Sequence, residues 1–224
     1  MLPLRKILHA TIICIGCGLS IGPDGSTASG PQRSDALPKI VAFGDSLTAG
    51  YGVPPEQSYP AQLQRRLDEA GYRYRVVNAG VSGDTTAGGL RRVDWILKSQ
   101  PRIVILELGA NDGLRGLDPA QIRANLDGII AKLLEAGVKI VFAGMKLPPN
   151  YGPEYTGRFT AIYPELARKH HLTYLPFFLE GVGAQQTLNL PDGVHPTAAG
   201  YQIIVDHLWA VLTPLLDNDM KRQP

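Results

Sequence analysis

The sequence predicts an α/β fold in which a parallel β-sheet is covered by helices on both faces. From Pro38 onward, short apolar segments alternate with longer amphipathic ones, which is typical of repeated strand–helix–strand units. Segment 103–106 is continuously apolar, as expected for a strand that is covered on both faces. Together these observations favour a parallel sheet with helical crossovers over an antiparallel one.

The apolar segments and the amphipathic segments predict the elements in order. Five strands are predicted at 39–44, 74–78, 102–108, 138–144 and 172–175. Five helices are predicted at 59–70, 87–98, 119–136, 155–170 and 197–216. Gly71 and Gly137 then lie just past helix ends, where a left-handed residue favours glycine. The chain contains no internal repeat.

The N-terminal segment differs from the rest of the chain in composition. Arg5 and Lys6 precede a mostly apolar run at 7–21, and a Gly/Ser/Pro-rich stretch follows. This pattern predicts a signal peptide that is cleaved after Ala28, and hence a periplasmic or secreted protein. The run is shorter than the ~20 residues that a transmembrane helix requires, so no stable membrane span is expected. A lipoprotein lipidated on Cys17 is the weaker alternative.

The same pattern predicts how the chain is divided. A signal peptide at 1–28 is followed by a polar, flexible stub at 29–37, a single domain at 38–216 and a polar tail at 217–224. One domain of this size buries a full core without disulfides or metals. A monomer is the simplest expectation.

Composition excludes several classes of function. The 224 residues are 44% hydrophobic and 19% charged, and the formal net charge is +2. The basic residues are scattered, so no nucleic-acid partner and no polybasic membrane patch is expected. The two cysteines, Cys14 and Cys17, both lie in the predicted leader. A chain cleaved after the leader would therefore contain no cysteine nucleophile and no disulfide.

Small and polar residues follow the predicted strands, at the sheet edge where open parallel sheets bind ligands. Ser46 directly follows the first strand, but a serine hydroxyl needs a base to act as a nucleophile. Of the five histidines, only His195 lies in a loop of the predicted domain. Asp192 precedes it by three residues, so a local turn can bring its carboxylate to the imidazole.

Negative charge on a tetrahedral intermediate requires hydrogen-bond donors. The candidates are the backbone N–H groups of Ser46 and Gly83 and the side-chain amide of Asn111, which follow three different strands. Asp45 is expected to bond nearby backbone amides, and Asp112 to end the loop after Asn111.

Each of these residues also has an ordinary structural explanation. Ser46 alone could cap a helix, Asp192 could form a turn with the glycine after it, and Gly83 could be required by its backbone angles. The complete set of roles, with none missing, favours catalysis over these separate explanations.

Four spaced motifs resemble the blocks of the SGNH (GDSL) hydrolase family. They are GDSL at 44–47, the glycine of VSGDT at 81–85, GAND at 109–112 and DGVHP at 192–196. The resemblance covers about residues 39–210 and is strongest to the bacterial arylesterase and acyl-CoA thioesterase I/lysophospholipase branch. It implies a flavodoxin-like three-layer α/β/α sandwich with five parallel strands, without metal or cofactor.

The resemblance also implies a role for each residue. Ser46 is the expected nucleophile, His195 the base and Asp192 its orienting partner, with Gly83 and Asn111 as oxyanion donors beside the Ser46 N–H. The expected substrate is a small acyl ester, a thioester or a lipid. Five loop residues are expected to line an acyl groove: Leu114, Leu147, Pro148, Tyr151 and Leu190.

Other functions stay open on the sequence alone. The same catalytic blocks would serve a carbohydrate or peptidoglycan O-acetylesterase. A lipid-binding module or a surface-interaction protein without catalytic activity would keep the fold but not the reaction.

Overall fold

The computed structural model describes residues 37–221 of the chain. Its centre is a parallel sheet of five strands in the order β2-β1-β3-β4-β5. The strands are β1 (Lys39–Gly44), β2 (Arg75–Asn78), β3 (Pro101–Glu107), β4 (Lys139–Ala143) and β5 (Thr173–Leu175). The predicted α/β fold with a five-stranded parallel sheet is confirmed.

Seven α-helices connect and cover these strands in the described part of the chain. They are α1 (Ser46–Ala49), α2 (Tyr59–Glu69), α3 (Thr86–Lys98), α4 (Ala110–Leu114), α5 (Pro119–Glu135), α6 (Pro153–Lys169) and α7 (Ala198–Met220). Helix α5 packs against both α3 and α6, while α2 packs against α7. The two groups form the outer layers of an α/β/α sandwich.

The core lies on both faces of the central strands. Segment 103–106 is completely buried, and so is the corresponding part of β1 at 40–43. Both faces of a parallel sheet are covered by helices, which explains the continuous apolar sequence of β3. Each large apolar side chain buried here stabilises the fold by about 1.5–3 kcal/mol.

Local sequence signals fix where several helices begin and end. The side chains of Thr85, Asp118 and Thr197 accept backbone N–H groups at the starts of α3, α5 and α7. Gly71 and Gly137 have φ of +78° and +73°, the left-handed conformation that was expected past the ends of α2 and α5.

Helix α7 is longer than the sequence predicted. The predicted end at residue 216 was wrong, because the helix continues to Met220 and includes the first residues of the predicted polar tail. Asp219 is completely buried and accepts hydrogen bonds from Arg102, Lys139 and Tyr74. A charged side chain that appears solvent-exposed in the sequence is thus paired inside the molecule, which keeps the last turn helical.

The predicted leader lies outside the described residues, as does segment 29–36 of the predicted stub. Within segment 37–221, none of the helices combines the length and the apolar character that crossing a bilayer requires.

Candidate active site

The candidate nucleophile lies where β1 ends at the carboxyl edge of the sheet. Ser46 is the first residue of the four-residue helix α1. The Asp45 carboxylate caps this helix by accepting the Leu47 N–H at 3.0 Å, as expected for Asp45. Gly50, at φ +81°, ends it. The tight turn places the Ser46 side chain at the mouth of a cavity.

The candidate base is held by a local turn. One oxygen of Asp192 accepts the backbone N–H groups of Val194 and His195, and the other lies 2.7 Å from His195 Nδ1. The loop is fixed further by a bond from the Leu190 N–H to the His195 carbonyl at 2.7 Å. The predicted contact between Asp192 and the imidazole is therefore present.

The second imidazole nitrogen faces the serine. His195 Nε2 lies 2.9 Å from Ser46 Oγ, although the two residues are 149 positions apart in the chain. With Nδ1–H donating to Asp192, Nε2 carries the lone pair that can accept the Ser46 proton. Hydrogen bonds from the backbone N–H groups of His195 and Val194, together with the imidazole, lower the pKa of Asp192 to about 2. Asp192 is accordingly a carboxylate at neutral pH.

Three hydrogen-bond donors surround this pair. The N–H groups of Ser46 and Gly83 have no acceptor within residues 37–221, and both residues line the cavity. Asn111, in the first turn of α4, lines it too. Its amide donates one hydrogen to Asp45 at 2.9 Å, which leaves the second free. The structure thus brings the three predicted donors to one wall.

Gly83 is a glycine because of its backbone conformation. Its φ is +77°, and a Cβ built there would meet only an Arg115 nitrogen at 3.8 Å. Space is therefore available, but an L side chain would be strained.

A buried carboxyl pair lies behind the nucleophile. Glu107, at the end of β3, accepts the Asp45 N–H at 3.3 Å and the Thr48 hydroxyl at 2.7 Å. Burial raises the pKa of Asp45 to about 6 and raises the pKa of Glu107 well above its usual range. Burial comes first among the causes for Glu107, and repulsion by the adjacent Asp45 carboxylate acts in the same direction.

Asp112 has a different role from the one expected. Its carboxylate accepts the backbone N–H of Thr86 at 2.9 Å and the Thr86 hydroxyl at 2.6 Å. It therefore ties α4 to the start of α3, beside the Gly83 loop, rather than ending its own loop.

The cavity in front of Ser46 and His195 has a volume of about 680 Å³. Leu114, Leu147 and Pro148 line it, as predicted. Leu190 does not, because its side chain lies against Gly52, whose added Cβ would be 2.3 Å from Leu190 Cδ1. Tyr151 does not either, because its hydroxyl donates to the Leu114 carbonyl and its ring lines a separate depression.

Several residues that line the cavity were not predicted from the sequence. They are Tyr51, Met145, Phe177, Leu179, Ala184 and Val194. Ligands of parallel sheets bind at the carboxyl ends of the strands. The same expectation applied to the segment after β5 would have predicted Phe177 and Leu179. Tyr51, whose ring centroid is 4.5 Å from that of His195, lies inside the GDSLTAGYG segment.

No group of three His, Cys, Asp or Glu side chains within residues 37–221 is arranged to hold a metal ion.

Comparisons with known proteins give one consistent result. Residues 42–203 match the model of the GDSL-like lipase/acylhydrolase family. The chain is 44% identical over 182 residues to esterase TesA of Pseudomonas aeruginosa, covering 81% of this chain and 90% of the relative. It is 39% identical over 188 residues to thioesterase 1/protease 1/lysophospholipase L1 of Escherichia coli, covering 84% and 89%.

A solved structure agrees with these matches. A crystal structure of TesA superposes with a TM-score of 0.77 at 44% identity and covers 79% of this chain and 99% of its own. The resemblance stated from the four motifs is confirmed, and the chain belongs to the GDSL-like lipase/acylhydrolase family.

Proposed function

We propose that this protein is a serine hydrolase that cleaves carboxylic esters and acyl thioesters through an acyl-enzyme on Ser46. The observation that carries the proposal is the continuous line Asp192–His195–Ser46, with contacts of 2.7 and 2.9 Å, beside three donors at one cavity wall. The names of the relatives, an esterase and a thioesterase/lysophospholipase, support the same class of reaction.

The proposed reaction begins when His195 Nε2 takes the Ser46 hydroxyl proton and Oγ attacks the acyl carbonyl carbon. The oxyanion accepts hydrogen bonds from the N–H groups of Ser46 and Gly83 and from the free amide hydrogen of Asn111. Collapse of this intermediate breaks the bond to the leaving alcohol or thiol, which takes the proton from His195.

Deacylation repeats these steps with water. His195 removes a proton from the water as its oxygen attacks the acyl carbon, and the proton returns to Ser46 Oγ when the acid leaves. Asp192 holds the imidazole in the required tautomer and stabilises the imidazolium in both halves of the reaction.

The cavity favours an acyl chain over a sugar ring as the bound group. Most of the side chains that line it are apolar, among them Met145, Leu147 and Leu179. Such a wall buries methylene groups favourably but offers few partners for sugar hydroxyls. We therefore place ester and thioester substrates ahead of acetylated carbohydrates.

We also propose that the protein is exported and that the mature protein is a monomer. The basic, then apolar, then small-residue pattern at 1–28 supports export. The mass of the protein recovered from a periplasmic fraction would identify the cleavage site, and its sedimentation would give the oligomeric state.

The decisive test is hydrolysis of p-nitrophenyl esters of increasing acyl length by wild type and Ser46→Ala. We expect wild type to turn over with an optimum set by the cavity. Ser46→Ala is expected to lose activity by on the order of 10⁶-fold, as other nucleophile deletions do. Ser99→Ala, a serine at the end of α3, is the matched control and is expected to equal wild type. Equal activity of wild type and Ser46→Ala would exclude the proposed nucleophile.

A further inference from the structure

Arg92 contacts three separate parts of the chain with one guanidinium group. Its Nε donates to Asp84 Oδ2 at 2.7 Å, its Nη1 to the Ala79 carbonyl at 2.8 Å and its Nη2 to the Gly44 carbonyl at 2.9 Å. The side chains of Arg92 and Asp84 are only 19% and 10% exposed. This is a largely buried ion pair rather than a surface contact.

The three acceptors flank the two loops that carry the reacting groups. Gly44 is the last residue of β1, two positions before Ser46. Ala79 and Asp84 flank the loop at 80–83 that contains Gly83. Arg92 therefore connects the nucleophile turn to the loop with the Gly83 N–H, beside a direct bond from the Val81 N–H to the same Gly44 carbonyl at 3.1 Å.

The surroundings of the guanidinium fix its plane. Its central carbon lies 4.4 Å from the centroid of the Phe43 ring, the geometry of a cation–π contact. The second oxygen of Asp84 accepts the Thr85 N–H at 2.9 Å, so the carboxylate is held from the other side. The lack of a side chain at Gly88 leaves space for the Asp84 carboxylate, because an added Cβ there would be 1.8 Å from Asp84 Oδ1.

Arginine is the residue type that can do this. A planar guanidinium presents its donors in a rigid fork, while a lysine ammonium at the same place is a single point with different reach. A lysine would not reproduce the separate bonds to the two carbonyls. The Gly44 carbonyl would keep the Val81 N–H, whereas the Ala79 carbonyl has no other donor within residues 37–221.

We propose that Arg92, paired with Asp84, is a positioning residue that holds the Gly83 N–H in register with Ser46 for the esterase reaction. The proposal rests on the function proposed above. Arg92 does not line the cavity, so it acts through the two loops and not by touching the substrate. Rate is sensitive to such positions, because a displacement of about 1 Å can cost about 10²-fold in turnover.

The test compares Arg92→Lys, Arg92→Met and Asp84→Asn with wild type, on active sites titrated with a serine-directed phosphonate. Arg91→Met is the control, because Arg91 precedes Arg92 on α3 but is exposed. Thermal unfolding of each variant sets an assay temperature at which all are folded. The substrate is a p-nitrophenyl ester that wild type hydrolyses.

We expect both Arg92 variants to lower kcat by about 10- to 100-fold while KM stays within about threefold, because an oxyanion donor is misplaced in the transition state. Asp84→Asn should also lower kcat, but by a smaller factor. The double variant Arg92→Met/Asp84→Asn should lose less than the product of the single losses, since both changes remove one contact. Arg91→Met should keep the wild-type kcat.

The proposal is overturned if folded Arg92→Lys keeps kcat within about twofold of wild type, or if only the unfolding temperature changes. If Arg92→Met does not fold, the kcat values of Arg92→Lys and Asp84→Asn test the proposal. If wild-type hydrolysis does not depend on Ser46, the proposed function fails and the positioning role fails with it. If hydrolysis depends on Ser46 but not on Arg92, only the positioning role fails.

Discussion

At the scale of single residues, the site is built from groups whose surroundings suit one role each. Asp192 accepts three hydrogen bonds at the protein surface, which lower its pKa and keep it ionised. Asp45 is buried, which raises its pKa, and it accepts the Leu47 N–H and the Asn111 amide, so it serves as a capping and orienting group. The pKa values of these two aspartates thus shift in opposite directions, because Asp192 is exposed and hydrogen-bonded whereas Asp45 is buried.

The proposed donor role of Asn111 gives a rate prediction. Asn111→Ala is expected to lower kcat by roughly 10²–10³, as removal of a donor to the oxyanion does in other acyl-transfer enzymes. Steady-state hydrolysis of a p-nitrophenyl ester measures it, with Asn218→Ala on the exposed side of α7 as the control. A kcat within about threefold of wild type would remove Asn111 from the oxyanion site.

The raised pKa of Asp45 gives a prediction for stability. Its pKa is about 6 in the folded protein against an ordinary 3.8, so the folded state binds this proton more tightly. The contribution of Asp45 to the free energy of unfolding therefore falls as pH rises from about 4 to about 6, by at most about 1.4 kcal/mol per unit. Above that window the slope due to Asp45 vanishes.

Urea unfolding of wild type and Asp45→Asn at several pH values isolates this contribution. The stability of wild type relative to the variant should fall with rising pH across the window and stay constant above it. A constant difference, or one that grows with pH, would show that Asp45 is not protonated preferentially in the folded protein.

At the scale of elements, the ends of helices and strands depend on two kinds of information. The start of α7 lies within one residue of the predicted one, because Thr197 caps the helix and a threonine cap acts within one turn. The other end of α7 was missed, because the partners of Asp219 are on β3, β4 and the segment before β2. The helices α1 and α4, of four and five residues, were also missed. Helices this short are stabilised by tertiary contacts rather than by propensity.

Asp219 should matter for stability and not for turnover. Asp219→Ala is expected to lower the free energy of unfolding by about 3 kcal/mol, because Arg102 and Lys139 lose a buried charged acceptor at the amino edge of the sheet. Asn218→Ala, an exposed neighbour in the same turn, is the control. Chemical denaturation measures the loss, and a change below about 1 kcal/mol would contradict the role assigned to Asp219.

At the scale of the whole molecule, the two edges of the sheet have separate tasks. The carboxyl edge holds the proposed nucleophile, the proposed oxyanion donors and the cavity, while the amino edge holds the ion pairs of Asp219. The cavity is assembled from loops that follow β1, β2, β3, β4 and β5 and from the loop of His195. A rigid parallel sheet can fix so many loops at once, since it places all strand ends on one edge.

The sequence by itself determined what depends on near neighbours and on periodicity. The alternation of apolar and amphipathic segments determined the α/β class, and a three-residue spacing determined the contact between Asp192 and His195. The spaced motifs determined the family. These signals are local, so each can be evaluated before the chain folds.

Only the tertiary structure decided what depends on residues far apart in the chain. The 2.9 Å contact between Ser46 and His195 joins the first strand end to the last loop, and the connections of Arg92 cross three segments. For the same reason, only part of the cavity wall was predicted correctly. Leu114 lines the cavity as predicted, but Leu190 lies against Gly52 instead. Which way a loop side chain faces is set by the packing of every element around it, and no local pattern encodes that packing.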